Sequence, residues 1–177
     1  LKVFRPADTT ETYECWQLAL ENLNSPSVLA LTRQKLNPIR KEFLKENKCS
    51  FGAYEISRSN QDVKVTIIAT GSEVNLALEV SHKLATENIY SKVISVPCQE
   101  LFKQQSDSYK DKILNETEFT ITIEAGSTSC WQKYIVNKGL NFGIDDFGKS
   151  APYKKIYSYF SLTAESITKK TKEMINK

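Results

Sequence analysis

The sequence contains few of the residues that build transition-metal sites. It has one histidine, four cysteines and no C-x-x-C pair among 177 residues. Because such sites need closely spaced cysteine and histidine ligands, the sequence predicts no metal centre of this kind. Scattered cysteines in a chain of mixed strands and helices indicate reduced thiols, so we expect a cytoplasmic protein. The cysteines are Cys15, Cys49, Cys98 and Cys130.

Long apolar runs and dense basic stripes are also missing. No apolar run reaches the roughly 18 residues that a membrane-spanning helix needs, and the net charge is only +3. The sequence therefore predicts no membrane partner and no nucleic-acid partner. Its only methionine is Met174, so we expect a fragment, a processed product or a trimmed piece of a longer protein.

Glycine-rich phosphate loops are absent as well, since neither G-x-G-x-x-G nor G-x-x-x-x-G-K-[ST] occurs.

What the chain does have is a strand, turn, helix and strand beginning at Val63. The β-branched run at residues 63–68 favours a buried strand. Thr70-Gly71-Ser72-Glu73 then opens a helix that Ser72 can cap, and residues 93–96 favour a second strand. Because parallel strands need such a crossover, this pattern predicts an open α/β sheet.

The remaining elements lie on either side of a charge-rich stretch. Residues 27–32 are continuously apolar and predict a strand buried on both faces. Residues 35–50 have no periodicity and indicate a linker between domains. Further strands are predicted at residues 51–56 and 119–123, and helices at residues 9–22, 99–114, 128–135, 153–160 and 163–175.

Arg33 is the best candidate for a functional side chain. It follows the apolar run at residues 27–32, and ligands of open α/β sheets bind at the carboxyl ends of the strands. Its planar guanidinium suits a phosphate, with a surface ion pair as the alternative. Glu124, at another strand end, is interpreted as a buried, hydrogen-bonded carboxylate, with catalysis as the alternative. His82 is interpreted as a surface residue.

Several short motifs resemble those of the C-terminal third of transketolases. Each motif alone is weak, but they occur in the same order, at about the same spacing, along essentially the whole chain. The motifs are Phe4-Arg5-Pro6-Ala7-Asp8, Leu31-Thr32-Arg33-Gln34, Ile68-Ala69-Thr70-Gly71-Ser72-Glu73-Val74, Val96-Pro97, Ile123-Glu124-Ala125-Gly126 and Phe147-Gly148-Lys149-Ser150-Ala151-Pro152.

The resemblance implies a chain of two parts. Residues 1–48 correspond to the end of the pyrimidine-binding domain with its linker, a fragment of a second α/β domain. Residues 49–177 correspond to the C-terminal domain, an open, mostly parallel sheet with helices on both faces. The family transfers a two-carbon ketol unit between phosphorylated sugars of the pentose phosphate pathway. Its cofactors are thiamine diphosphate and Mg²⁺ (or Ca²⁺), and the resemblance implies a cytoplasmic homodimer.

The resemblance assigns one substrate residue in this chain. Arg33 stands in the place of the S-R-Q arginine that binds the sugar phosphate, with Thr32 where serine is common. The family's Gly-Asp-Gly…Asn motif for metal and diphosphate is not in this sequence. We therefore expect this chain to bind neither cofactor and to be inactive alone.

Two alternatives remain at this point. The first is a dihydroxyacetone synthase-like enzyme, which activity of the full-length protein on formaldehyde would distinguish. The second is a non-enzymatic α/β interaction or dimerisation module. A reading frame that starts near Leu1 would favour the module, and a long upstream frame carrying Gly-Asp-Gly would favour the enzyme.

Overall fold

The computed structural model describes residues 1–40 and 45–175, which form two β-sheets. The first sheet pairs β1 (Lys2–Phe4) in parallel with β2 (Ser27–Leu29). The helix α1 (Thr9–Glu21) connects these strands, as the sequence predicts. Asp8 caps α1, because its Oδ1 atom accepts the backbone N–H of Glu11 at 2.8 Å.

The prediction of a doubly buried strand at residues 27–32 is wrong in length and in burial. β2 ends at Leu29, and Val28 is 45% exposed. Among the described residues β2 pairs with β1 alone, so no further strand covers its other edge. The apolar side chains of residues 27–32 could be buried on both faces of a larger sheet. In this chain only β1 and α1 pack beside β2, and they do not cover both of its faces.

The second sheet has five strands, which are β3 (Tyr54–Arg58), β4 (Val65–Ala69), β5 (Ser91–Ser95), β6 (Phe119–Ile123) and β7 (Lys138–Phe142). Their order across the sheet is β3-β5-β4-β6-β7. Four strands are parallel, and β3 lies antiparallel at one edge. The three central strands are buried along their whole length, as expected of a parallel sheet covered on both faces.

Helices cover both faces of this sheet, and they are α2 (Glu73–Ala85), α3 (Gln99–Lys103), α4 (Asp107–Leu114), α5 (Tyr153–Tyr159) and α6 (Ala164–Ile175). Adjacent strand residues point to opposite faces. Ile67 therefore packs in the core formed with α2 and α6, whereas Ile68 packs in the core that contains Phe102 and Trp131. The predicted class, an open and mostly parallel α/β sheet, is confirmed.

The single helix predicted at residues 99–114 is in fact the two helices α3 and α4. The break occurs at Ser106, whose backbone is extended (φ −60°, ψ 153°) and whose Oγ atom accepts the N–H of Tyr109 at 3.2 Å. Serine favours such a capping role because its hydroxyl competes for backbone hydrogen bonds. The apolar periodicity is similar on both sides of this cap, which is why the sequence pattern hides the break.

The helix predicted at residues 128–135 is also wrong. Two 3₁₀ turns, Thr128–Cys130 and Gln132–Tyr134, replace it, and the strand β7 that follows was not predicted. β7 has the sequence K-G-L-N-F, which lacks the β-branched residues that mark a strand. Its glycine is needed for packing, because a Cβ atom on Gly139 would lie 2.0 Å from the carbonyl oxygen of Thr120.

The strand predicted at residues 51–56 begins later, at Tyr54. A 3₁₀ turn, Lys48–Phe51, comes first and ends at Gly52 in the left-handed conformation (φ +74°). Residues 35–40 and 45–47 contain no helix or strand, which agrees with the predicted linker. Residues 41–44 of that linker lie outside the described residues. The domain boundary near Lys48 stays a prediction.

Hydrogen exchange should distinguish the two predicted parts of the chain. Residues 49–177 contain the whole five-stranded sheet and the helices that cover it, so we expect them to fold as a unit. We expect slower exchange at residues 65–68 of the fully buried β4 than at residues 28–31, which include the half-exposed end of β2. Stronger protection at residues 28–31 would contradict the proposed division of the chain.

Candidate functional site

Arg33 lies beyond the end of β2, in a segment without regular structure. Its side chain is exposed, and within residues 1–40 and 45–175 it forms no ion pair. The segment turns beside it, because the Oγ1 atom of Thr32 accepts the backbone N–H of Gln34 at 3.1 Å. The surface ion pair that the sequence left as an alternative is therefore not formed by the described residues. The guanidinium is accessible to an anionic ligand.

A second charged cluster lies where the strand ends of the two sheets meet. Arg5 directly follows β1, Glu124 directly follows β6, and Glu73 is the first residue of α2. The Arg5 guanidinium donates to Oε1 of Glu124, and its Nη2 atom is 3.7 Å from Oε2 of Glu73. Glu124 is 4% exposed and Glu73 is 1% exposed. One partly exposed arginine thus faces two buried carboxylates.

Backbone hydrogen bonds bring these strand ends together. The N–H of Arg5 donates to the carbonyl of Pro97 at 2.8 Å, and the carbonyl of Arg5 accepts the N–H of Gly71 at 3.1 Å. Gly71 has a φ of +56°, in the left-handed region that glycine adopts without steric cost. The T-G-S-E turn is therefore a docking point for the chain after β1, and not only the start of a helix.

Ser72 does not cap α2 with its side chain, contrary to prediction. Its backbone is already helical (φ −57°, ψ −26°), and its hydroxyl donates to Oε1 of Glu73 at 2.8 Å. The hydroxyl of Tyr157 donates to the same oxygen at 2.5 Å. The two hydroxyls hold Oε1 of the buried Glu73 carboxylate, whereas Oε2 has no hydrogen-bond partner among the described residues and lies 3.7 Å from Nη2 of Arg5.

Burial controls the protonation of these groups. Burial raises the pKa of Glu124, the positive charge of Arg5 opposes this rise, and the negative charge of Glu73 adds to it. Burial also raises the pKa of Tyr157, and the neighbouring Glu73 carboxylate raises it further. Tyr157 is therefore a hydrogen-bond donor at neutral pH, and the Arg5 guanidinium favours the charged form of Glu124. The interpretation of Glu124 as a buried, hydrogen-bonded carboxylate is confirmed.

A cavity of about 200 Å³ opens beside the Arg5–Glu124 pair. Its lining includes Val3, Thr70, Glu100, Ser127, Cys130 and Trp131. Arg33 does not line this cavity, so the structure does not bring Arg33 and Glu124 into one site. Trp131 is buried in the core, whereas Trp16 on α1 is 49% exposed.

A further buried carboxylate joins α1 to the five-stranded sheet. Glu11 is fully buried, and its Oε1 atom accepts the hydroxyls of Tyr54 at 2.7 Å and Ser95 at 2.6 Å. Its Oε2 atom accepts the backbone N–H of Ala7 at 2.7 Å. Burial raises the pKa of Glu11, and these hydrogen bonds oppose the rise. Every oxygen is occupied, which indicates a structural role.

The sequence did not single out Arg5, Glu73, Tyr157 or Glu11. Only Arg5 had a sequence feature that could have identified it. Arginine is rare in this lysine-rich chain, and an arginine in such a chain is a candidate for a contact that needs its planar guanidinium. The other three had no such feature, since a glutamate near a helix start is an ordinary cap residue and a tyrosine on a helix is an ordinary amphipathic residue.

The described residues show neither a metal cluster nor a membrane span. In residues 1–40 and 45–175, no three histidine, cysteine, aspartate or glutamate side chains are grouped so that they could hold a metal ion. Within the same ranges, none of the helices combines the length and apolar character needed to cross a bilayer.

The open sheet, with its charged groups at the carboxyl ends of the strands, defines an α/β protein with a mostly parallel core. The transketolase-like TK C-terminal domain family matches residues 52–163. The chain belongs to this family, and the resemblance found in the sequence motifs is confirmed.

Similar proteins match along nearly the whole chain. A transketolase of Sinorhizobium medicae (strain WSM419) is 39% identical over 178 residues, which cover 100% of this chain and 26% of the relative. The solved transketolase from Leishmania mexicana has a TM-score of 0.87 at 34% identity, over 97% of this chain and 25% of that protein. A transketolase from Pichia stipitis, solved in complex with sedoheptulose-7-phosphate, has a TM-score of 0.86 at 32% identity, with the same coverage. The chain spans about a quarter of the length of the curated relatives it matches.

Proposed function

We propose that this chain is the C-terminal part of a transketolase that moves a two-carbon ketol unit between phosphorylated sugars. The observation that carries the proposal is the match of the whole chain to a transketolase at 39% identity, over 26% of that relative. The bound sedoheptulose-7-phosphate of the Pichia stipitis relative supports phosphorylated ketoses as substrates. The full-length protein is then a transferase of the pentose phosphate pathway, cytoplasmic and homodimeric. No observation favours a dihydroxyacetone synthase-like enzyme or a non-enzymatic module.

In this proposal Arg33 binds the phosphate of the sugar. Its exposed guanidinium, without an ion-pair partner among the described residues, supports the role that the motif assigns to it. A guanidinium donates two parallel hydrogen bonds to a phosphate, so it fixes the direction of the substrate as well as its affinity. At the ketol end of the sugar, opposite the phosphate, thiamine diphosphate would supply the carbanion stabilisation that ketol transfer needs.

The residues described here do not fit thiamine diphosphate and its metal ion. A divalent cation needs several oxygen ligands, and the described part of the chain has no group of three aspartate, glutamate, histidine or cysteine side chains that could hold a metal ion. Arg5 is already engaged by two carboxylates. We propose that thiamine diphosphate and Mg²⁺ (or Ca²⁺) are bound by parts of the full-length enzyme other than these residues.

Calorimetry tests this assignment of the cofactor site. Titrating thiamine diphosphate into the 177-residue chain with Mg²⁺ present should give no saturable heat, and Ca²⁺ should give the same result. The full-length enzyme is the positive control, and there we expect saturable binding. Micromolar binding to the 177-residue chain would show that it contains a cofactor site.

The reading frame upstream of Leu1 tests the proposed function as a whole. We expect a long frame that encodes the Gly-Asp-Gly motif and continues into this sequence. A frame that starts near Leu1, in a gene that produces this chain as a separate protein, would favour the interaction module instead.

A further inference from the structure

Helix α1 exposes a row of large apolar side chains. Tyr13 is 72% exposed, Trp16 is 49% exposed and Leu20 is 71% exposed. Because neighbours in this row are three or four residues apart in the sequence, they lie on one side of the helix. Leu23, just beyond the end of the helix, is 89% exposed and continues the row. These four side chains form the outer face of α1.

The opposite side of α1 is already packed against other residues of the chain. Glu11, Glu14 and Cys15 are buried, and Cys15 lies in one core cluster with Phe4 of β1. Leu29 of β2 packs against the same cluster. A helix that covers a sheet normally turns a polar side to the solvent. The outer face of α1 is instead apolar, and the described residues leave it exposed.

Charged side chains are scarce on the exposed side of α1. The structure describes the whole helix, and Glu21 is the single charged residue among the exposed ones, which are Thr9, Thr10, Tyr13, Trp16, Gln17, Leu20 and Glu21. Helix α6 shows the opposite pattern, because all of its exposed residues except Met174 are lysine or glutamate. Depletion of charge together with exposed tyrosine and tryptophan is typical of the buried centre of an interface. The outer face of α1 therefore has the composition of a contact surface.

We propose that the outer face of α1 packs against the part of the full-length enzyme that precedes Leu1. This inference rests on the proposed function, which makes the chain the C-terminal part of a longer protein. The chain spans 26% of the Sinorhizobium medicae transketolase that it matches, so most of such a protein lies outside these residues. Exposed apolar patches mark interaction sites, and an uncharged face is matched best by an apolar, uncharged surface.

Further strands beside β1 or β2 would not cover the outer face of α1. Among the described residues these strands pair only with each other. A two-stranded sheet is marginal on its own, so we expect further strands in the full-length enzyme. Strands add at the edges of a sheet, whereas α1 packs on the face that carries Phe4 and Leu29 and turns its outer face away from them. The proposed contact is therefore distinct from completion of this sheet.

The first test measures how fast a thiol on the outer face of α1 reacts with a maleimide. Leu20→Cys is made in a Cys130→Ser background, since Cys130 is exposed and the other three cysteines are buried. Mass spectrometry follows the label at residue 20 in the 177-residue chain and in the full-length enzyme. We expect labelling to be at least about tenfold slower in the full-length enzyme, because a covered thiol reacts only when its contact opens. Lys170→Cys on the charged side of α6 is the matched control and should react equally fast in both proteins.

The second test places a charge on the same face. Leu20→Lys should leave the urea midpoint of the 177-residue chain unchanged, because Leu20 is exposed there. In the full-length enzyme the lysine would be buried in an apolar contact, so we expect a lower midpoint or a protein that does not fold. Met174→Lys is the control, since Met174 lies on α6 among exposed charged residues. We expect it to change neither protein.

Three results would overturn the inference. The first is equal labelling of Leu20→Cys in the two proteins, and the second is equal tolerance of Leu20→Lys. The third is slow labelling in the 177-residue chain that becomes faster on dilution, which would show that a second copy of this chain covers the face.

The fate of the proposed function is read separately. If the full-length enzyme transfers the ketol unit while residue 20 is labelled freely, the inference is wrong and the proposed function stands. If the gene encodes no polypeptide before Leu1, the proposed function fails and the inference fails with it.

Discussion

Replacing Arg33 by alanine in the full-length enzyme should raise KM for phosphorylated sugars strongly. A charge-assisted contact to phosphate is worth roughly 1.5–3 kcal/mol, so we expect kcat/KM to fall by about ten- to a hundredfold. The contact exists in the ground state and in the transition state alike, so the loss should appear mainly in KM. Steady-state kinetics with a ketose phosphate donor measures it.

The control for this prediction is a donor without a phosphate. Hydroxypyruvate offers nothing for Arg33 to bind, so its use should change little when the acceptor is unphosphorylated. Arg33→Lys should restore activity only in part, because an ammonium is a point charge without the planar fork. Equal losses for both donors would mean that Arg33 is a structural residue.

Replacing Glu11 by alanine should destabilise the chain more than other single changes in α1. The substitution leaves the N–H of Ala7 and the hydroxyls of Tyr54 and Ser95 buried without their acceptor. Unsatisfied buried polar groups are costly, so we expect the free energy of unfolding to fall by roughly 2–4 kcal/mol. Urea denaturation at neutral pH measures the change.

Glu21→Ala is the matched control for the Glu11 prediction. Glu21 ends the same helix, but it is exposed and its contact is the surface hydrogen bond from Gln17 at 2.9 Å. We expect a change within about 0.5 kcal/mol. If the two variants are equally stable, the Glu11 contacts do not join α1 to the sheet domain in solution.

The central part of the fold could be predicted from sequence because its signals are local. The β-branched run ending at Ile68, the turn at Gly71 and the amphipathic helix after it specify one βαβ unit, and the structure has that unit as β4, α2 and β5. The predicted ends of these two strands differ from the observed ends of β4 and β5 by at most about two residues. β7 was missed because its strand conformation depends on pairing with a neighbour, β6, and not on its own composition.

The charged cluster could not be predicted, because it is built from long-range contacts. Arg5 and Glu124 are separated by 119 positions, and Tyr157 and Glu73 by 84. No local pattern relates residues at such distances. Arg33 was singled out from its motif and its place after a strand, and the structure adds that its neighbour Gln34 lines a cavity together with residues of α5.

The most direct test of the central claim is a ketol-transfer assay on the full-length gene product. The donor is a ketose phosphate, the acceptor an aldose phosphate, and thiamine diphosphate and Mg²⁺ are supplied or withheld. We expect two-carbon transfer that requires both cofactors. A folded full-length product that binds the cofactors and transfers no two-carbon unit would contradict the proposed function.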